Sequence, residues 1–196
     1  MGLPIEQFII GSNANDILTR FFDTGAMQMA GVHPTISPSM DIQISSNFER
    51  LLFELFERDG NRVAETLTAF RESGRFDVPD EVLAEATSLF DGVRFDDDQT
   101  RTLIGDVHAA TGMLLDPHSA VGLAAARAKR RNADVPMVVL ATAHPAKFPD
   151  AVEQAAGVRP ALPEHLCNLM ERDERINVLA NDLDQLKNFI ETRVAT

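Results

Sequence analysis

One short segment, residues 135–141, constrains the fold of this chain more than any other. It reads Val-Pro-Met-Val-Val-Leu-Ala, an apolar and β-branched run that is typical of a buried strand. Thr142 and His144 follow it, and Pro145 ends the run before a helix predicted to begin near Phe148. Polar groups at the carboxyl end of a buried strand lie where open α/β sheets bind ligands. The segment therefore predicts a ligand site at Thr142 and His144, although both side chains could instead cap the backbone of a strand-to-helix turn.

Strands and helices alternate along the sequence, which predicts an α/β fold with a mostly parallel sheet. Besides residues 135–141, strands are predicted at residues 4–10, 40–44 and 93–95. Helices are predicted at residues 16–23, 62–72, 80–90, 99–110, 119–131, 148–156 and 182–194. One more is predicted to be capped by Ser45 or Ser46 and to be broken at residues 59–61. Ser46 and Glu49 have the spacing of a capping box. The last helix is predicted to turn Leu183, Leu186, Phe189 and Ile190 inward.

Composition and charge exclude several classes of function. The 196 residues carry a formal net charge of −12, which argues against nucleic-acid binding. The apolar stretches are too short to span a bilayer, so no membrane partner is expected. The five histidines lack metal-binding spacing, and no metal site is predicted. The single cysteine, Cys167, lies among leucines, reads as a core residue and fits a cytoplasmic protein.

A second polar turn, formed by Asp116, His118 and Ser119, follows the short apolar run at residues 113–115, taken as a strand, and precedes the predicted helix at residues 119–131. An acid, an imidazole and a hydroxyl within four residues do not make a catalytic triad, whose members converge from distant segments. In a parallel sheet, a strand–helix–strand unit places the turns after both strands at the same edge. We therefore expect residues 116–119 and 142–144 to line one pocket, whose ligand this geometry does not name.

Several segments in order along the chain resemble threonine synthase. They are residues 12–18, 37–42, 45–52, 116–122 and 142–148, which read SNANDIL, SPSMDI, SSNFERLL, DPHSAVG and TAHPAKF. The resemblance covers nearly the whole chain and is loose only between residues 61 and 96. It implies part of a pyridoxal-phosphate enzyme domain of fold type II, tryptophan synthase β-like, with mostly parallel strands and a helical segment. The implied division is residues 1–58 and 99–157 in the cofactor domain, residues 59–98 as the helical segment and residues 158–196 as a carboxyl-terminal extension.

The resemblance also implies an activity and roles for individual residues. Threonine synthases convert O-phospho-L-homoserine and water to L-threonine and phosphate, with pyridoxal 5'-phosphate as an electron sink. By resemblance, Thr142 hydrogen-bonds the pyridine nitrogen of the cofactor, and Asp116, His118 and Ser119 form the second wall of its pocket. Weaker candidates for substrate binding or active-site support are Asn13, Asn15, Ser37, Asp41 and His144. For the first four, satisfaction of turns and caps is an equally good interpretation.

The sequence departs from the family pattern in two respects. The lysine that holds the cofactor as a Schiff base, and the glycine-rich loop that binds its phosphate, have no counterpart here. The three lysines, Lys129, Lys147 and Lys187, lie in other contexts. We therefore expect a carboxyl-terminal portion of threonine synthase that is inactive alone, with no catalytic residue of its own. Its expected partners are the missing amino-terminal half and, through exposed apolar surface, a second copy of the chain.

Two other interpretations remain open at this stage. One is a different lyase of fold type II, such as a dehydratase, which would share the hydroxyl at Thr142. The motifs at residues 37–41 and 47–52 disfavour it. The other is a non-catalytic or regulatory module that was derived from the same fold.

Overall fold

The computed structural model describes residues 2–194 and divides into two compact units, with the division between Pro160 and Ala161. The first unit holds four strands and seven α-helices among the described residues. In chain order they are β1 (Phe8–Ser12), α1 (Ile17–Thr24), β2 (Ala26–Gln28), α2 (Phe48–Leu55), α3 (Gly60–Ser73), β3 (Arg75–Asp77), α4 (Asp80–Leu89), β4 (Phe90–Arg94), α5 (Asp97–Thr111), α6 (Pro117–Lys129) and α7 (Pro149–Ala156). The division into four segments drawn from the sequence stays a prediction.

A parallel pair of strands, β1 and β4, lies between two helices. Ile10 is in register with Gly92, and Gly11 is in register with Val93. Alternate residues of a strand face opposite sides of a sheet. A Cβ atom on Gly92 would lie 2.9 Å from the Thr19 Cα atom of α1, whereas one on Gly11 would lie 3.0 Å from the Val121 carbonyl oxygen of α6. Helices α1 and α6 therefore cover opposite faces of the pair, as in other parallel sheets.

Aromatic and aliphatic side chains from α1, α2, α3 and α4 form the main core. Phe21 is fully buried, and its ring meets that of Phe48 edge-on at a centroid distance of 4.8 Å. The antiparallel pair β2–β3 contributes Met27 and Phe76 to the same cluster. This core holds the helical part of the unit together by apolar burial.

Asp96, the first of three consecutive acidic residues, is the N-cap residue of helix α5. Its side chain accepts a hydrogen bond from the Gln99 main chain, and the Gln99 side chain accepts one from the Asp96 main chain. This reciprocal pair is a capping box at the start of α5. By contrast, the capping box predicted at Ser46 and Glu49 is wrong, because α2 begins at Phe48 and its N-cap residue Asn47 has helical backbone angles and no side-chain cap.

The strand predicted at residues 135–141 is wrong. Val135 lies in a bend, residues 136–141 have no regular secondary structure, and Val138 and Leu140 are 80% and 74% exposed. A strand needs a neighbour that accepts and donates its main-chain hydrogen bonds, and the described residues supply none here. The strand predicted at residues 40–44 is also absent from the described chain, where a short 3-10 helix, Pro38–Met40, precedes irregular backbone.

The second unit contains two 3-10 turns, Glu164–Leu166 and Leu169–Glu171, and the helix α8 (Leu183–Val194). The prediction that the apolar side of α8 faces inward is wrong, because Leu183, Leu186 and Ile190 are exposed. Cys167 is exposed rather than part of a core. Within residues 2–194, no helix has the length and apolar content to cross a membrane.

Candidate active site

The amino end of α6 gathers polar groups around one buried carboxylate, that of Asp116. Asp116 is the N-cap of α6, and Pro117 occupies the first turn, where its missing N–H is no loss. Its Oδ1 atom accepts hydrogen bonds from the main-chain nitrogens of His118 at 2.9 Å and Ser119 at 3.3 Å. Its Oδ2 atom accepts a short hydrogen bond from the Ser119 hydroxyl. The negative charge thus lies where the helix dipole and free N–H groups favour it.

The His118 side chain uses both ring nitrogens. Nδ1 lies 3.1 Å from Asp116 Oδ1, and Nε2 lies 3.2 Å from the main-chain nitrogen of Ser39. The ring also packs against Phe148 at a centroid distance of 4.7 Å. His118 therefore joins α6 to the loop that carries residues 37–41.

Ser119 connects the same cluster to the turn at Thr142. The Thr142 main-chain nitrogen donates to Ser119 Oγ at 3.1 Å, while the Thr142 side chain is exposed. The structure therefore brings residues 116–119 and Thr142 together, as the sequence predicts. The reason differs, because residues 113–115 and 135–141 are not strands in the described chain.

His144 lies farther along this turn and acts locally in the structure. Its Nδ1 atom accepts a hydrogen bond from the Ala146 main chain at 3.2 Å, so the side chain caps the 3-10 helix Pro145–Lys147. His144 is exposed, like Thr142. Its role in substrate binding stays a prediction.

Asn13, Asn15, Ser37 and Asp41 form a second polar network. Asp41 Oδ1 accepts hydrogen bonds from Asn13 Nδ2 at 2.8 Å and Asn15 Nδ2 at 2.9 Å. Asn13 Nδ2 also donates to Ser37 Oγ at 2.9 Å. Asn13 and Ser37 are each only 1% exposed. The network fixes the loop that contains Ser37 and Asp41 against the turn that follows β1.

Sequence reasoning missed two members of these clusters. Thr35 donates to Asp41 Oδ1 through its hydroxyl at 2.7 Å and to Oδ2 through its main chain at 2.9 Å. Its position two residues before Ser37 in a hydroxyl-rich loop is a weak signal that could have suggested it. Ser39 takes part only through its main-chain nitrogen, and a backbone contact leaves no mark on the residue type.

Each lysine of the chain has a contact of its own. Lys129 Nζ lies 2.8 Å from Asp91 Oδ1, and Lys187 Nζ lies 3.3 Å from Asp184 Oδ1. Lys147 Nζ lies 5.9 Å from the centre of the Phe148 ring, at a cation–π distance. Among the described residues, no group of three or more histidine, cysteine or acidic side chains is arranged to hold a metal.

Two cavities lie away from these clusters. One, of about 600 Å³, lies between α5 and α6, and the other, of about 680 Å³, is bordered by α2, α4 and β4. Neither is lined by a site residue predicted from the sequence. The candidate site in this chain is thus the surface at the start of α6 and the neighbouring loops.

A parallel strand pair covered by helices on both faces defines a protein of the α/β class. A family model described as threonine synthase, C-terminal, matches residues 119–190. The chain belongs to the threonine synthase family and corresponds to its carboxyl-terminal part. Both the family resemblance and the α/β fold of a pyridoxal-phosphate enzyme are therefore confirmed.

Curated relatives and solved structures agree on this assignment. The threonine synthase of Pseudomonas aeruginosa is 52% identical over 191 residues, which are 97% of this chain and 41% of the relative. A crystal structure of pyridoxal-phosphate-bound threonine synthase from Brucella melitensis matches with a TM-score of 0.89 at 50% identity, over 100% of this chain and 42% of that one. Yeast threonine synthase matches with a TM-score of 0.85 at 34% identity, over 100% of this chain and 43% of that one. The chain thus spans about two fifths of the length of these relatives.

Proposed function

We propose that this chain forms one side of the active site of a threonine synthase, which converts O-phospho-L-homoserine and water to L-threonine and phosphate. The observation that carries the proposal is the contact between Ser119 Oγ and the Thr142 main chain at 3.1 Å. It fixes the backbone of Thr142 on the buried cluster at α6 and leaves the Thr142 side chain exposed. A hydroxyl so placed suits a ligand that binds on this surface.

The residues present fit one end of pyridoxal phosphate. The Thr142 hydroxyl can donate to or accept from the pyridine nitrogen, and it brings no charge to the ring. When bound, the cofactor withdraws electrons from substrate carbon atoms that carry negative charge. Asp116 and Ser119 orient Thr142 through the main chain, and Asn13, Asn15, Ser37 and Asp41 shape the neighbouring loop for the substrate.

The other end of the cofactor requires groups that this chain does not offer. Its eleven glycines are scattered, so the sequence has no glycine-rich loop to bind a phosphate with main-chain N–H groups. Lys129 is engaged by Asp91. We therefore propose that a polypeptide corresponding to the amino-terminal part of the relatives supplies the cofactor-bearing lysine and the phosphate site, and that this chain is inactive alone.

The test is complementation. The purified 196-residue chain is titrated with pyridoxal phosphate, alone and with an amino-terminal threonine synthase segment, and threonine formation is measured. We expect a specific absorption band and threonine only in the mixture. Borohydride reduction and peptide mapping then identify the lysine involved. Threonine formation by the chain alone, with one of its own lysines reduced onto the cofactor, would contradict the proposal.

Variants of Thr142 test the role of its hydroxyl in the mixture. Thr142→Val keeps the shape and removes the hydrogen bond, so we expect kcat to fall by about tenfold, the equivalent of one hydrogen bond. Thr142→Ser retains a hydroxyl and should recover most of the activity. Equal activity of the valine and serine variants would place the cofactor contact elsewhere.

A further inference from the structure

A path of hydrogen bonds runs from the loop that carries Ser37 and Asp41 to the buried Asp116 cluster, and it begins at the main chain of Ser39. Ser39 lies in the 3-10 helix Pro38–Met40, between two members of the Asn13 network, Ser37 and Asp41. Its N–H group points to His118 Nε2 at 3.2 Å. The loop is therefore held at both ends by one network and in its middle by His118.

The partners of His118 fix its protonation pattern. A main-chain N–H group only donates, so Nε2 must be the acceptor in the contact with Ser39. Asp116 Oδ1, a carboxylate oxygen at 3.1 Å, only accepts, so Nδ1 carries the hydrogen. The ring is thus a neutral imidazole with its proton on Nδ1. Its side chain is 7% exposed and both nitrogens are occupied, which leaves no nitrogen for a ligand.

Beyond His118, the path continues through Asp116 to Ser119 and ends at the main chain of Thr142. Ser119 donates its hydroxyl to Asp116 Oδ2 and accepts the Thr142 N–H group at 3.1 Å. Two loops far apart in sequence therefore donate main-chain N–H groups to His118 and Ser119, and both of these side chains contact the same buried carboxylate, that of Asp116. A shift of the ring would move the loop at residues 37–41 relative to Thr142.

We propose that His118 is a positioning residue that holds the loop at residues 37–41 in a fixed relation to Thr142. In this role His118 touches neither cofactor nor substrate. The role replaces the cofactor binding that the sequence resemblance implies for His118. The effect on catalysis rests on the proposed function, because the loop carries Ser37 and Asp41, the candidates for substrate support. The effect on the loop itself does not depend on that function.

Two substitutions separate the two hydrogen bonds of the ring. In His118→Asn, the short amide can occupy the place of Nδ1 and donate to Asp116, but it ends too early to accept from Ser39. In His118→Gln, the longer side chain brings a carbonyl oxygen to the place of Nε2, where it can accept the Ser39 N–H group. Both variants lose the ring that packs on Phe148, so they are matched for that loss.

The first measurement is hydrogen exchange of the Ser39 amide in the 196-residue chain, followed by NMR. We expect exchange to become at least about tenfold faster in His118→Asn, because the amide loses its acceptor. In His118→Gln the rate should stay close to that of the unaltered chain. Equal rates in the two variants would overturn the proposal.

The second measurement uses the complemented enzyme and compares KM with kcat. His118→Asn should raise the KM for O-phospho-L-homoserine by about tenfold, since substrate groups meet a displaced loop, and His118→Gln should recover most of that loss. The absorption band of the cofactor should not change in either variant. A shifted band, or a KM that is equally raised in both, would show a cofactor contact or a merely structural role instead. If the unaltered mixture makes no threonine, the proposed function fails, while the exchange of Ser39 still decides the role of His118.

Discussion

Asp116 is the residue on which the candidate site depends most, because its carboxylate contacts both His118 and Ser119. It is 1% exposed and accepts hydrogen bonds from His118 and Ser119, both through main chain and through side chain. A buried charge of this kind is tolerated only when its oxygens are satisfied. Here the side chains that satisfy the carboxylate, those of His118 and Ser119, also accept the main-chain N–H groups of Ser39 and Thr142.

Removal of this carboxylate should cost more than removal of an ordinary helix cap. We expect Asp116→Ala to lower the free energy of unfolding by about 2–4 kcal/mol, because it removes a cap and leaves the His118 and Ser119 side chains unsatisfied. Asp96→Ala is the matched control, since Asp96 caps α5 from an exposed position and its loss should cost about 1 kcal/mol. Urea denaturation of both variants gives the comparison, and equal losses would contradict the importance of the buried cluster.

A second residue-scale prediction concerns an exposed pair on β3. The hydrogen bond from Arg75 lowers the pKa of Asp77 below its ordinary value of 3.8. A lowered pKa means that the pair stabilises the folded chain above the ordinary pKa, and that this contribution is lost as the pH falls through the lowered value. An NMR titration should show Asp77 ionising below 3.8, and Arg75→Gln should return its pKa upward. An unchanged titration in that variant would remove Arg75 as the cause.

At the scale of elements, the sequence predicts helices better than strands. Helix α3, predicted at residues 62–72, is observed at Gly60–Ser73, because its apolar period and end signals are local. The prediction of a strand at residues 135–141 was wrong because strand pairing depends on residues that are distant in sequence. In the described chain this apolar run has no neighbouring strand. Thr35 and Ser39 were missed for a similar reason, because their contacts with Asp41 and His118 depend on how the chain folds and not on the local sequence pattern. Asp116 was predicted because an acid, an imidazole and a hydroxyl within four residues form a polar turn that can be recognised locally, although the helix itself begins at Pro117 rather than at residue 119.

Two helix glycines look alike in sequence and differ in packing. A Cβ atom on Gly105 of α5 would lie 2.7 Å from the Ala155 carbonyl oxygen of α7, whereas one on Gly122 of α6 would meet only Val139 Cγ1, at 3.5 Å. We expect Gly105→Ala to destabilise the chain by about 1–3 kcal/mol through this clash. Gly122→Ala should instead stabilise it by up to about 1 kcal/mol, the difference in helix propensity. Thermal or urea unfolding checks both, and a stabilising Gly105→Ala would contradict the close approach of α5 and α7.

At the scale of the whole molecule, the chain covers 41% of the Pseudomonas aeruginosa relative and exposes apolar side chains on an unpaired segment. A two-stranded parallel sheet is smaller than parallel sheets usually are. We expect residues 135–141 to gain main-chain partners when an amino-terminal threonine synthase segment binds, and to promote self-association without it.

Hydrogen exchange and two charge variants test this expectation. Amides of residues 135–141 should exchange rapidly in the chain alone and slowly in the mixture, while those of β1 and β4 are protected in both. The double variant Val138→Lys with Leu140→Lys should weaken binding of the amino-terminal segment by more than about tenfold, because two apolar side chains no longer become buried. Met113→Lys, which alters an apolar residue that is 60% exposed elsewhere, is the control. Unchanged exchange in the mixture would show that the segment binds elsewhere or not at all.

The exposed segment at residues 135–141 also makes the chain vulnerable to proteases. Arg131, just before the segment, is largely exposed and offers trypsin an accessible bond. A cut there leaves Ser119 on one product and Thr142 on the other. The contacts that then link α6 to the second product include the hydrogen bond between these two residues and the packing of His118 on Phe148. The rate of cleavage at Arg131 therefore reports how firmly Thr142 is held against α6. Gel electrophoresis of the tryptic products can follow binding of the amino-terminal segment without any cofactor or substrate.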